Sequence, residues 1–386
     1  MLHATTSSQP APLVPPRWQT HRLDHLATRD GSVLAPVTLA YETWGTLAST
    51  GDNVVLLCHA LTGSSHAHDS AAPNDPRASW WNPLIGPGRV FDTDRYFVVC
   101  ANVLGGCYGT TGPTSPHPAD GRPYGLRFPL IGIPDIVRAQ RILLDRLGVR
   151  RLAAVAGGSI GGQQALEWAV AYPDLVERAV VLAAGARLGA MGIALNEIGR
   201  RAIAADPRWR EGEYAPGDGP DEGLAIARMV AMLSYSSAAD LDARFGRRPA
   251  SRPTREPTLG EAYDVESYLQ YQGLKLVRRF DANTHLILSR AMDRYDVAEG
   301  PQRGSDAAAL GRIRASLLAV GISSDWLFPP AEVRALAEGV LAADGRAYYA
   351  EIESPLGHDA FLKEWDQLDA ILRPFLAARA DSRAPP

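Results

Sequence analysis

A chain of 386 residues, 46% apolar and 21% charged with a formal net charge of -4, can bury a large core and has the balance of an ordinary globular protein. That charge excludes the basic field of a nucleic-acid or anionic-membrane binder, and no apolar run reaches the length of a membrane span. Cys58, Cys100 and Cys107 are odd in number and lack CxxC spacing, which argues against a disulfide framework and a zinc site and makes a reduced, cytoplasmic setting the default.

In chain order, the opening MLHATTSSQPAPLVPPRW has neither a basic start with an apolar core nor a helical pattern, so residues 1–20 read as a loose tail. Short runs rich in β-branched residues then predict strands at 37–45, 53–60, 95–103, 151–157, 178–185, 315–322 and 347–353. Helical stretches fall between them at about 134–148, 161–172, 331–343 and 359–377. This alternation points to an α/β fold with a mostly parallel central sheet covered by helices on both faces. The rhythm breaks after RAVVLAAG, because the next convincing strand begins near Ala315. Helix-like segments around 190–205, 221–236, 264–278 and 282–297, with the polar stretch RFGRRPASRPTREPTLGE among them, read as a helical lid inserted over 187–311. The core is then 21–186 and 312–380, with the lid at the sheet edge where open α/β folds bind ligands.

Residues 154–169, AVAGGSIGGQQALEWA, place Ser159 between Gly157, Gly158, Gly161 and Gly162, at the junction of a predicted strand and helix. A Gly-rich turn alone would explain the glycines. The alternative is GxSxG, the nucleophile elbow that lifts a serine hydroxyl above a sheet edge. Such a serine needs a base, an orienting acid and an oxyanion hole. His358, in ESPLGHDAF after the last predicted strand, stands at the same edge as Ser159. Asp325, in GISSDWLFPP after the preceding strand, is either a turn-former or the acid that fixes the histidine tautomer. The chain order Ser159, Asp325, His358 is that of the α/β-hydrolase fold. For the oxyanion, the backbone N–H of Ile160 follows the nucleophile, and NVVLLCHALTGSSH offers Leu61 after an early central strand.

The stretches YETWGTL, HALTG, DTDRYFVVCANVLGGCYGTTGP, GGSIGGQQALEW, LAIARMVAML, SDWLFP and GHDAFL together resemble the homoserine O-acyltransferases of methionine biosynthesis, above all the acetyl-CoA-dependent O-acetyltransferases. The resemblance runs from about Arg22 to Leu376 and is poor over 245–260. It implies a two-step acyl transfer through an acyl-serine, with acetyl-CoA and L-homoserine as substrates and no metal or prosthetic group. It also implies that Arg228 holds the homoserine carboxylate and Asp359 its ammonium, with Tyr235 and Thr62 as further contacts. Read without the resemblance, Arg228 is equally the solvated face of a helix and Asp359 a helix cap. Ser236 stands where relatives commonly carry arginine, and HALTGSSHAHDS lacks a glycine often found there, which bears on donor and acceptor identity. Succinyl-CoA as donor, serine as acceptor and a carboxylester hydrolase with the same triad are the competing readings. Members of the family are generally homodimers joined through lid helices, and the apolar stripe of LAIARMVAML suits either that or packing on its own core. Arg247, Arg248, Arg252 and Arg255 are open to two roles, contacts to CoA phosphates or surface charge.

Overall fold

Continuous apolar runs such as VVLLC and SLLAVGI have no polar face to show to water, so they belong in the middle of a sheet covered on both sides. In the computed structural model, which describes residues 18–75, 77–250 and 262–378, they do lie there. Strands β1 (Gln19–Leu23), β4 (Val37–Trp44), β5 (Val54–Cys58), β6 (Phe97–Ala101), β7 (Leu152–Gly158), β8 (Arg178–Leu182), β9 (Ser316–Ile322) and β10 (Arg346–Ile352) form one sheet in the order β1-β4-β6-β5-β7-β8-β9-β10. The pairs β1–β4 and β4–β6 are antiparallel and the rest are parallel. A separate two-stranded ribbon joins β2 (Leu26–Ala27) to β3 (Val33–Leu34).

Because successive side chains of a strand point to opposite faces, each central strand feeds two cores. Val54, Leu56 and Cys58 of β5 join one, with Ile136, Leu143, Leu166, Trp168, Val333 and Leu336 from helices α1 (Ile133–Arg146), α2 (Ile160–Ala171) and α9 (Pro330–Ala342). Val55 and Leu57 join the other, with Leu368, Leu372 and Phe375 from α10 (Trp365–Ala377) and with Trp81, Leu84 and Phe91. Those last three come from the long link between β5 and β6, which covers its face with aromatic side chains and only one short 3-10 turn, Asn82–Leu84.

Between β8 and β9 stand α3 (Ala190–Ala205), α4 (Asp221–Tyr235), α5 (Ala238–Arg244), α6 (Asp264–Val277), α7 (Ala282–Asp293) and α8 (Asp306–Leu310). Helix α3 packs on α4 and α7, and α4 packs on α6. The end of α4 is tied to the sheet edge. Trp326 Nε1 donates to Ser236 O at 2.9 Å, and the Ser237 hydroxyl donates to Pro355 O. Gly357 makes this approach feasible: it has φ 72°, and a Cβ there would stand 2.6 Å from the Ser236 carbonyl carbon.

Two details differ from the sequence expectation. Gln19 and Thr20, assigned to the tail, pair with Tyr41 and Ala40 as the start of an edge strand. The stretch expected as one helix over 359–377 is split into a 3-10 turn, Gly357–Leu362, and α10, so that His358 sits in the turn. Residues 1–17 of the expected tail, and Arg252 and Arg255, lie outside the described residues. Among the described residues no helix is long and apolar enough to cross a membrane, and no group of three or more His, Cys, Asp or Glu is disposed to hold a metal ion.

Candidate active site

Parallel strands that end at one edge deliver their following loops to one place. Ser159 follows β7 directly, Leu61 and Thr62 follow β5, Asp325 follows β9, and His358 follows β10. Ser159 occupies the elbow with φ 59° and ψ -128°, a conformation that side-chain-bearing residues seldom adopt. The backbone is held there from two sides, since Ser159 N donates to Leu182 O at 3.0 Å and Ser159 O accepts from Gln163 N at 3.0 Å.

His358 is buried and its Nδ1 lies 2.6 Å from Asp325 Oδ2. The other Asp325 oxygen, Oδ1, accepts from the backbone N–H groups of Leu327 at 2.9 Å and Phe328 at 3.0 Å. An acid oriented by two backbone donors leaves its second oxygen for Nδ1–H, which puts the basic lone pair of the neutral ring on Nε2. The ring stacks on Phe328, with centroids 5.7 Å apart, and meets the edge of Phe361 at 5.6 Å. Burial works against the charged imidazolium, but the charge and hydrogen bond of Asp325, aided by the charge of Asp359, outweigh it and raise the His358 pKa above the ordinary histidine value. Nε2 is buried and makes no hydrogen bond, so the bond to the Ser159 hydroxyl is not formed; catalytic hydrogen bonds of this kind often tighten only as substrate binds.

A cavity of about 200 Å³ joins the remaining residues: Ser159, His358, Leu61, Thr62, Arg228, Tyr235 and Asp359 all line it. Ile160 is at the first position of α2, where a backbone N–H has no acceptor within the helix. Arg228 and Tyr235 come from α4, the guanidinium 5.4 Å from the centre of the tyrosine ring, and that ring is 5.9 Å from His358. Burial raises the Tyr235 pKa, with Arg228 opposing and Asp359 reinforcing the shift. Asp359 lies 3.5 Å from Lys363, whereas Arg228 has no carboxylate within salt-bridge distance among the described residues. A smaller recess of about 20 Å³ borders Ser159 on the lid side, lined mostly by apolar side chains including Leu195, Ala227, Val230 and Met292. A larger cavity, about 550 Å³ between 120–127 and 210–215, contains none of these residues.

Several residues at the site escaped the sequence reading, among them Trp80, Arg279 and His59. Trp80 and Arg279 line the cavity. His59 lies beneath the Leu61 loop, its Nδ1 donating to Ala60 O at 2.8 Å and its Nε2 accepting from Val103 N at 3.1 Å. Burial lowers its pKa to about 4, partly countered by the Ala60 carbonyl, so it is a neutral brace. The HALTG stretch contains His59 in plain view, but the partner that reveals its role is 44 residues away.

Comparisons with known proteins identify the family. A family profile described as the alpha/beta hydrolase fold matches residues 53–364. A homoserine O-acetyltransferase of Symbiobacterium thermophilum is 51% identical over 353 residues, covering 91% of this chain and 91% of the relative. The crystal structure of homoserine O-acetyltransferase from Bacillus anthracis superposes with a TM-score of 0.88 at 28% identity, covering 95% of this chain and 99% of that one. An esterase, E22, superposes with a TM-score of 0.85 at 28% identity over 93% of this chain and 99% of its own. With half of its residues identical to such a relative over nine-tenths of both lengths, the chain belongs to the homoserine O-acetyltransferase family of α/β hydrolases.

Proposed function

We propose that this chain transfers an acetyl group from acetyl-CoA to the hydroxyl of L-homoserine, giving O-acetyl-L-homoserine for methionine biosynthesis, through an acetyl-Ser159 intermediate. The observation that carries the reading is the His358–Asp325 pair at 2.6 Å, whose free Nε2 faces a cavity shared by Ser159, a guanidinium and a carboxylate. In the first half-reaction Nε2 takes the Ser159 proton as Oγ attacks the thioester carbonyl. The Leu61 and Ile160 N–H groups receive the oxyanion, and the imidazolium returns the proton to the departing CoA thiolate. In the second half the homoserine hydroxyl gives its proton to Nε2 and attacks the acyl carbon. Ser159 leaves and recovers that proton.

Arg228 pairs with the substrate carboxylate and Asp359 with its ammonium, with Tyr235 and Thr62 at the edges. The narrow apolar recess beside Ser159 suits a methyl-sized acyl group, which favours acetyl over succinyl. CoA enters as a co-substrate, and no bound cofactor takes part in the steps. We read the chain as a cytoplasmic homodimer, since its three cysteines are free and apolar side chains crowd the outer faces of the lid helices.

The superposition on an esterase supports a second reading, hydrolysis with water as acceptor. One assay separates them: thiol release by purified protein given acetyl-CoA or succinyl-CoA with L-homoserine, L-serine or no amino acid. Release that requires acetyl-CoA and homoserine, and that disappears in Ser159→Ala, is expected. Equal release without an amino acid assigns the chain to the hydrolases, and preference for succinyl-CoA or serine changes the substrates alone.

A further inference from the structure

Arg279 lies in the link between α6 and α7, far in sequence from Ser159 and Leu61, yet it lines the same cavity. Its guanidinium spans two loops of the core. Nη1 donates to the Thr62 carbonyl at 2.7 Å and to the Tyr108 hydroxyl at 2.6 Å. Thr62 directly follows Leu61, so this charge-assisted bond acts on the segment whose N–H is to receive the oxyanion. Tyr108 belongs to the loop after β6, where its own carbonyl accepts from Asn102 Nδ2 at 2.7 Å, and its ring packs 6.0 Å from Phe280. The Leu61 segment is thus gripped from below by neutral His59 and from above by a lid residue.

From this we infer that Arg279 is a positioning residue: it fixes the Leu61–Thr62 segment from the lid, so that the oxyanion hole is complete only when the lid is seated. The inference rests on the proposed roles of Ser159 and Leu61. Its physical basis is that preorganised donors are effective only if they already point where charge develops. A backbone N–H on a loop tip needs an external anchor for that, and a guanidinium holding two acceptors in one plane is a rigid one.

The test is the pre-steady-state release of nitrophenol from p-nitrophenyl acetate, which reads acylation of Ser159 without CoA or homoserine. Burst amplitude counts working sites and the burst rate constant reports the chemistry in each. Arg279→Met is expected to lower the rate constant by about 10- to 100-fold, the cost of a displaced catalytic donor, while the amplitude and the KM for homoserine stay as in the parent. Arg279→Lys, which keeps one charged donor, should recover part of the rate. A lowered amplitude with an unchanged rate constant would show that Arg279 only supports folding, and a raised homoserine KM with an unchanged burst would make it a carboxylate ligand; either overturns the inference. Should Arg279→Met fail to fold, Tyr108→Phe removes one of the two anchors. A slower burst in that variant sustains the inference and an unchanged one defeats it. Ser159→Ala is run alongside: a burst that survives it removes the nucleophile assignment itself, whatever Arg279 does.

Discussion

Ser159 itself carries the left-handed backbone of the elbow, while Gly157, Gly158, Gly161 and Gly162 all have ordinary torsions and are needed for room. A Cβ on Gly161 would stand 2.1 Å from the Cys58 carbonyl oxygen, in the middle of the sheet, whereas one on Gly158 would stand 2.4 Å from the Phe361 ring. Backbone in a central strand cannot yield and a ring can turn. Gly158→Ala is therefore expected to cost about 1–3 kcal/mol and leave a folded protein, and Gly161→Ala to prevent the elbow from forming. Thermal melts and the nitrophenol burst amplitude distinguish the two outcomes. Asp325→Asn should lower kcat by about 10⁴-fold, because the amide no longer enforces the Nδ1–H tautomer. The pH profile has a definite sign. The base form of His358 is lost as pH falls through its raised pKa, so the acid limb of kcat/KM lies above the ordinary histidine value. Asp359→Asn, which removes the smallest of the raising contributions, should move that limb slightly toward lower pH; a shift upward would contradict the assignment. The residues proposed as a triad could be singled out in the sequence because each follows a strand that announces itself by its apolar run. Arg279 could not, since Arg278 beside it looks the same and only the folded lid brings one of them to Thr62.

Helix α2 shows what the element scale adds. Ile160 through Val170 are all buried, so the helix expected over 161–172 turns no polar face to water. Its polar side chains find partners inside. Gln164 Oε1 accepts from Gln140 Nε2 at 2.8 Å, and Gln140 Oε1 accepts from Trp168 Nε1 at 2.8 Å. Glu167 forms a two-pronged ion pair with Arg303, both contacts 2.8 Å, and the two side chains are 2% and 7% exposed. Arg303→Met strands that carboxylate in the core. It should cost about 3–5 kcal/mol, read as a lowered thermal midpoint, and adding Glu167→Gln should recover part of it. Equal midpoints for parent and Arg303→Met would show that the ion pair adds nothing to stability. Strand β1 was missed for the opposite reason: QTHRL alternates polar residues at a sheet edge with one buried leucine, so too little of its pattern is apolar. Residues 359–362 were joined to α10 because DAFL continues the helical spacing, whereas the chain leaves the helical path at Lys363 (φ -134°, ψ -33°) and Glu364 (φ -89°, ψ 58°), residue types that do not announce a break.

At the scale of the whole molecule the helical insertion between β8 and β9, which we propose to be a lid, contributes both to the cavity and to the exposed surface. Its inner face supplies Arg228, Tyr235 and Arg279 to the cavity. Its outer face exposes Met191 and Ile198 one heptad apart on α3, Ile226 and Leu233 one heptad apart on α4, and Tyr271 and Leu274 one turn apart on α6, each at least 40% accessible. Helix α4 packs on both α3 and α6, and exposed apolar side chains carried by helices in contact suit a protein interface. A closed pair of identical chains buries such a surface on itself. Light scattering during gel filtration is expected to give twice the 41.5 kDa chain mass for the parent. Ile226→Glu combined with Leu274→Glu should give the single-chain mass, because a closed pair would then have to bury four carboxylates in place of apolar side chains. The consequence for activity follows from the shared helices. A partner pressed on the outside of α4 and α6 steadies the elements that carry Arg228 and lead to Arg279, so the separated chain should show both a higher homoserine KM and a slower acylation burst. A parent that runs at 41.5 kDa would remove the dimer, and a fully active single chain would show that each lid holds its inner face unaided.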